Sequence, residues 1–335
     1  MTKGNSINKN DFIDDCRLTV ILTSYNRLAL LKVMMESLQK QSDSDFDLII
    51  CDNHSTDGSW LYINELPKFN NGNYTILHWD ENRGWAGSAE KWNKYIKTDW
   101  STIICDDDWL GIDFVKVINS AINEVSSDFS GLIISGHSRV DNEKRFEKEY
   151  LYHDKVLNVE TSVSDFLNQK FDVAGISGFT LKTYILQSDF PKYYEGNGFL
   201  EDTLIIFRSL LSGGAKFTEG IHYFRREHSS SISASGSGNI YYRIALLRFK
   251  KDIKKYAQDS SCSKYLVKKL IKYNFIDHYK GIIKQFVIIG INLDLYNEYI
   301  KKIQLLDKNK YYQSIFFYPI ILLSVSARKI YNIVK

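Results

Sequence analysis

The sequence is short of proline, with three in 335 residues. With no low-complexity run and no internal repeat, that scarcity argues against long disordered linkers and repeat arrays. Cysteine is scarce as well: Cys16, Cys51, Cys105 and Cys262 are widely spaced and form no CxxC pair. This predicts reduced thiols in a cytosolic protein, with neither a zinc site nor a disulfide framework. No GxGxxG or Walker sequence occurs, so the usual dinucleotide and mononucleotide loops have no support. The stretch Met1–Asp15 is polar and lacks the apolar core of a secretory signal. The apolar run Ser314–Val325 is about a dozen residues and holds Pro319, short of the ~20 that span a bilayer.

What is present is an ordinary globular composition, 44% hydrophobic and 25% charged, long enough for one large domain with an appendage. The net charge of +3 hides an asymmetry. Residues 1–239 carry 24 Lys and Arg against 34 Asp and Glu, whereas residues 240–335 carry 19 against 6. A body of −10 beside a tail of +13 suggests a tail that meets an anionic surface. The Ser/Gly stretch Ser229–Gly238 marks the boundary between them. The expected organisation is an N-terminal extension 1–16, a catalytic domain 17–238 and a basic, apolar helical region 239–335.

Apolar runs at Leu18–Leu22, Phe46–Cys51, Tyr74–Trp79 and Thr102–Cys105 read as buried strands. They alternate with helical segments, which predicts a mostly parallel α/β sheet flanked by helices. In the first of these helices Leu28, Leu31, Met35 and Leu38 step by three and four, with Asn26 expected as its N-cap. Ligands of open α/β sheets gather at the carboxyl ends of strands, so Thr23, Asp52 and Asp106 are expected to share a crevice. The fourth strand ends in Asp106-Asp107-Asp108. A solvated acidic turn would have that composition too, but three like charges at a strand end repel unless a cation sits among them. Mg²⁺ and Mn²⁺ take oxygen ligands from carboxylates and substrate phosphates, which points to a metal–diphosphate site. Between the strands, Arg83 lies in a glycine-containing stretch, Glu81–Ser88, and its guanidinium suits a phosphate.

Four segments in series, Val20–Arg27, Cys51–Ser59, Asn82–Asn93 and Cys105–Trp109, resemble the motifs of family 2 glycosyltransferases over roughly residues 17–233. The resemblance implies a GT-A fold and an inverting enzyme. It implies that Thr23, Tyr25 and Asp52 hold the base and ribose of a nucleotide-sugar. Asp106 and Asp108 correspond to the DxD pair, Asp108 being the direct ligand of Mn²⁺ or Mg²⁺. Glu201-Asp202 resembles the family's Glu-Asp motif, with Asp202 the catalytic base and Glu201 an orienting or acceptor-binding group. His228 falls in the family's closing Arg/His/Ser segment, as a further metal ligand or a diphosphate contact. Asn53 departs from the pattern, standing where many members carry a second Asp.

The function so implied is transfer from a nucleotide-sugar, a UDP-sugar being favoured, to a glycan or lipid-linked saccharide in surface polysaccharide synthesis. Two other classes compete. A nucleotidyltransferase would also use an acidic metal site, but has no call for Glu201-Asp202. A non-catalytic glycan-binding protein would be expected to lose one of the two acidic motifs. The tail alternates basic and apolar residues, as in Tyr265–Lys272, which suits helices lying on anionic lipid. It is too apolar for a nucleic-acid surface. The expected location is cytoplasmic, peripheral on the inner face of the cell membrane.

Overall fold

A computed structural model describes residues 17–141, 146–168, 170–172, 176–188, 201–227, 257 and 260–272. Two compact units divide the chain: residues 1–228 with 260–263, and residues 229–259 with 264–335. The first unit is built on one sheet whose opening half follows from the four apolar runs. Strands β1 (Leu18–Ser24), β2 (Asp47–Asp52), β3 (Tyr74–His78) and β4 (Trp100–Cys105) are parallel, in the order β3-β2-β1-β4. Residues on both faces of β1 and β2 are buried, as expected of parallel strands covered on both sides by helices. The strands start or stop within a few residues of the expected limits.

The remaining strands are β5 (Trp109–Leu110), β6 (Leu132–Val140), β7 (Phe146–Tyr150), β8 (Lys155–Leu157), β9 (Phe179–Lys182) and β10 (Ala215–Arg226). The sheet continues beyond β4 as β9-β6-β10-β5, with β7 on β6 and β8 on β10. Here β9 is antiparallel to both β4 and β6, while β6 and β10 are parallel to each other. The far half is therefore mixed. The charged stretch after Arg139, expected as an extended ribbon, contributes β7, which pairs antiparallel with β6.

One helix layer covers the sheet through α1 (Leu28–Gln39) and α4 (Phe114–Glu124). Leu31, Met34, Met35 and Leu38 of α1, with Phe114, Val115, Ile118 and Ile122 of α4, enclose a core with Leu18, Val20, Leu48 and Ile104. The stepping of three and four in the sequence is the cause. Elsewhere in the first unit lie α2 (Ser59–Glu65), α3 (Gly84–Trp92), α5 (Val159–Leu167), α6 (Thr183–Ser188) and α7 (Glu201–Gly213). Gly214 joins α7 to β10 at φ +81°, where an added Cβ would lie 2.1 Å from the Leu157 carbonyl oxygen.

In the second unit, α8 (Lys264–Lys272) is amphipathic: Lys264, Lys268 and Lys269 are exposed and Leu266 is buried. No helix among the described residues is long and apolar enough to cross a membrane.

Candidate active site

In-register pairing brings the strand-end loops together. Thr23 of β1 is opposite both Cys51 of β2 and Cys105 of β4, and Ser24 is opposite Asp52. The loops are then tied by long-range caps. Asn26, expected as the cap of α1, instead has φ +50° and its Oδ1 accepts from the Thr56 amide at 2.7 Å. The first amide of α1, Leu28 N–H, donates to Asp57 Oδ2 at 2.9 Å. Asp57 from the β2 loop thus does what local sequence assigned to Asn26, and the two loops are locked as one unit.

The acidic turn is neutralised unevenly. Arg27 Nη1 lies 3.0 Å from Asp106 Oδ1 and 2.8 Å from Asp107 Oδ2. The Tyr25 amide donates to Asp106 Oδ2 at 3.0 Å. Burial pushes Asp106 up to about 6, against the pull of Arg27. Asp108 is held from β10 on the far side: its Oδ2 accepts from the Tyr223 hydroxyl and its Oδ1 from the Arg226 amide at 2.9 Å. Ser177, hydrogen-bonded to the Tyr223 hydroxyl, also accepts from the Cys105 amide at 3.0 Å. An added Cβ on Gly178, at φ +82°, would lie 2.7 Å from the Tyr223 ring, so the glycine leaves room for that tyrosine.

The donor set fits a hard divalent cation. Ligand atoms of Cys105, Asp107 and Asp108 lie within 4.8 Å of one another. Burial, then the charge of Asp107, pushes Asp108 above the usual carboxylate range. A cation between the two carboxylates would reverse that push. Burial also raises the Cys105 thiol well above its ordinary value; it stays protonated, so the carboxylate oxygens are the ligands suited to Mg²⁺ or Mn²⁺. Of the expected pair, Asp108 is in this cluster, whereas Asp106 faces Arg27 and the Tyr25 amide.

At the other end of the crevice Asp52 is fully buried, its Oδ2 accepting from the Ser55 amide and His78 Nδ1, both at 2.9 Å. Its Oδ1 has no partner among the described residues. His78 stacks on Trp60 at 4.2 Å. Asn53 organises the Glu81–Gly84 loop: its Oδ1 accepts from the Arg83 amide at 3.0 Å, and its Nδ2 donates to Asn82 Oδ1 at 2.7 Å. An aspartate at 53 would accept but not donate, which gives a structural reason for the departure from the family pattern. Arg83 itself is exposed, lying over Trp79 at 4.9 Å with Nε 3.2 Å from Glu81. Thr23 is half-buried and the Tyr25 ring is exposed. The backbone of α7 begins at Glu201; the side chains of Glu201 and Asp202, and all of His228, lie outside the described residues.

Sequence reasoning assigned no individual role to Arg27, Ser177, His78 or Tyr223. Arg27 was visible inside the first motif, three residues past the strand. Tyr223 and Ser177 meet the acidic turn only through the β9-β6-β10 half of the sheet, and no local pattern announces that.

Residues 19–184 match the family described as Glycosyl transferase family 2. A curated relative, the GalNAc(5)-diNAcBac-PP-undecaprenol beta-1,3-glucosyltransferase of Campylobacter jejuni, is 24% identical over 181 residues, 54% of this chain and 57% of that protein. The teichoic acid poly(glycerol phosphate) polymerase of Staphylococcus epidermidis is 26% identical over 154 residues, 46% of this chain and 21% of that protein. The chain thus spans little more than half of the first relative and about a fifth of the second. Among solved structures, S. aureus TarS 1–349 in complex with UDP-GlcNAc resembles it with a TM-score of 0.67 at 13% identity, over 89% of this chain and 81% of that one. At that identity the likeness is one of fold.

The geometry makes Arg27 the counter-charge of the turn. Arg27→Met is expected to cost about 1.5–3 kcal/mol at pH 8, the scale of hydrogen bonds to charged groups. The loss should be smaller at pH 5. With its folded pKa raised to about 6, Asp106 binds a proton on folding between its unfolded value and about 6, and Arg27 favours only the ionised form. Urea denaturation at the two pH values measures this; an equal loss at both would contradict the assignment.

Proposed function

The chain belongs to glycosyl transferase family 2 through residues 19–184, and on that premise we propose that it transfers a sugar, with inversion, from a nucleotide-sugar to a glycan or lipid-linked saccharide acceptor. The observation that carries the reading is the acidic turn Asp106–Asp108 at the end of β4, beside the ends of β1 and β2. The mixed sheet flanked by helices is a GT-A fold like that of TarS. A UDP-sugar is the favoured donor, supported by the UDP-GlcNAc complex of that neighbour. The names of the two curated relatives, one acting on a diphosphate-linked undecaprenol saccharide and one a teichoic acid polymerase, support a role in surface polymer synthesis.

In this reading Thr23, Tyr25 and Asp52 hold the nucleoside. Arg83 leaves Trp79 for the diphosphate, and Asp106 is kept in place by Arg27 and the Tyr25 amide. A divalent cation held by Asp108 with Asp107 would neutralise the charge that grows on the departing diphosphate. His228 is assigned beside that diphosphate. Asp202 takes the proton of the acceptor hydroxyl as its oxygen bonds to the anomeric carbon and the bond to the diphosphate oxygen breaks. Glu201 orients the acceptor. The catalytic domain is taken as residues 17–238. Residues 239–335 are assigned to an anionic membrane surface, a reading supported by the +13 tail and by the exposed lysines of α8.

Asp202→Asn keeps the shape and removes the base, so kcat should fall by about 10²–10⁴ with donor affinity nearly unchanged. The product should carry the anomeric configuration opposite to the donor's, readable from NMR coupling constants. Retention would reject the mechanism, and near-normal turnover of Asp202→Asn would reject the assigned base. Binding of the full chain to anionic vesicles should weaken steeply between 0.05 and about 0.2 M salt, as charges become screened over about 8–10 Å. Equal binding to neutral vesicles would remove the electrostatic account of the tail.

A further inference from the structure

Tyr223 ties the last carboxylate of the acidic turn to the strands around it. On β10 it is paired with Leu110 of β5, two residues past Asp108, and with His137 of β6. The next residue, Phe224, stacks its ring on Trp109 at 5.4 Å and an angle of 5°. The Gly111 amide donates to the His222 carbonyl at 2.8 Å. The strand that carries the Tyr223 hydroxyl is thus fixed against the chain leaving the turn. The chain entering the turn is held through Ser177, which accepts from the Cys105 amide at 3.0 Å.

The donors along this connection have one consistent order. An ionised carboxylate only accepts, so the Tyr223 hydroxyl directs its single proton to Asp108 Oδ2. Its oxygen then accepts from the Ser177 hydroxyl, whose oxygen in turn accepts from the Cys105 amide. With the Arg226 amide on Oδ1 at 2.9 Å, both oxygens of Asp108 are held, which fixes the plane of the carboxylate. Each oxygen can accept twice, so each keeps a lone pair. Tyr223 is 2% exposed and Asp108 4%, which leaves water little access to replace the phenol. Core packing alone does not call for the hydroxyl: the ring lies in the apolar core, 6.4 Å from that of Phe114, where phenylalanine would serve as well.

We infer that Tyr223 is a positioning residue for the cation, its hydroxyl, oriented by Ser177, holding Asp108 so that a carboxylate oxygen is presented beside Asp107. The inference rests on the proposed cation site at Asp107 and Asp108, and deepens it by naming what keeps that site assembled. Ligand atoms of the two lie within 4.8 Å of one another, and without a cation between them their like charges push them apart. A single bond from the Arg226 amide leaves Asp108 free to turn; the second bond, from the phenol, removes that freedom. Hydrogen-bond partners of metal ligands typically set affinity by about 10–100-fold. A hydroxyl that merely occupied the cation's place would have the opposite effect, since its removal would tighten binding.

The test is titration of the full chain with Mn²⁺, with and without saturating UDP, read from the paramagnetic resonance of free Mn²⁺. Tyr223→Phe should bind Mn²⁺ about 10–100-fold more weakly than the unaltered chain, while UDP affinity measured without metal stays the same. Ser177→Ala, which removes the donor that orients the phenol, should weaken Mn²⁺ binding by about 2–10-fold, the scale of one neutral hydrogen bond. A role in packing alone would lower the urea midpoint of Tyr223→Phe and leave the Mn²⁺ affinity of the folded protein unchanged. That result, or tighter Mn²⁺ binding in Tyr223→Phe, would overturn the inference. Unchanged affinity in Ser177→Ala would overturn it too, and that variant decides should Tyr223→Phe not fold. Weaker metal-free UDP binding in Tyr223→Phe would put the hydroxyl on the nucleotide and reject the positioning role. Absence of Mn²⁺ binding by the unaltered chain would reject the cation site itself, and the inference with it.

Discussion

Three adjacent carboxylates at the end of a buried strand are the constraint that the rest of the first unit accommodates. Two unit charges 4 Å apart repel by about 4 kcal/mol at the effective dielectric of a protein surface, a large fraction of a domain's net stability. The fold spreads that load over both halves of the sheet. From the β1 side, Arg27 and the Tyr25 amide hold Asp106, and Arg27 also reaches Asp107. From the β10 side, the Tyr223 hydroxyl and the Arg226 amide hold Asp108. Asp107 and Asp108 remain close neighbours, with ligand atoms within 4.8 Å of one another.

The same economy of partners shapes the loops after β1 and β2. Asp57 caps α1 from another loop, and Asn26 reciprocates by accepting from Thr56. Asn53 joins the β2 end to the Glu81–Gly84 loop by donating and accepting at once. Loop positions are thus fixed by side-chain bonds between strand ends, not by secondary structure. Rigid loops of this kind pre-organise a ligand site on the carboxyl edge of a sheet. The buried Asp52, with one oxygen on His78 and the other without a partner among the described residues, is the point where that rigidity meets an unused acceptor.

Much of the first half of this arrangement was legible from local pattern. Continuous apolar runs gave β1, β2, β3 and β4, because parallel strands buried on both faces need no alternation. Their common direction aligned Thr23, Asp52 and Asp106. The far half was legible mainly as separate fragments. The pairing of β9 between β4 and β6, and of β10 with β6, joins segments tens of residues apart, and short polar strands carry little periodic signal. The hold of Tyr223 and Ser177 on the acidic turn was not legible for that reason. The misassigned cap at Asn26 has the same origin: the oxygen that caps α1 comes from Asp57, 29 residues away from Leu28.

Titration of UDP into the chain with and without Mn²⁺, for the unaltered protein and for Asp108→Asn, tests the central claim most directly. The account predicts UDP binding strengthened by Mn²⁺ in the unaltered chain. In Asp108→Asn that strengthening should be lost, while the weaker metal-free binding and the fold are kept. Mn²⁺-strengthened binding that persists undiminished in Asp108→Asn would contradict it.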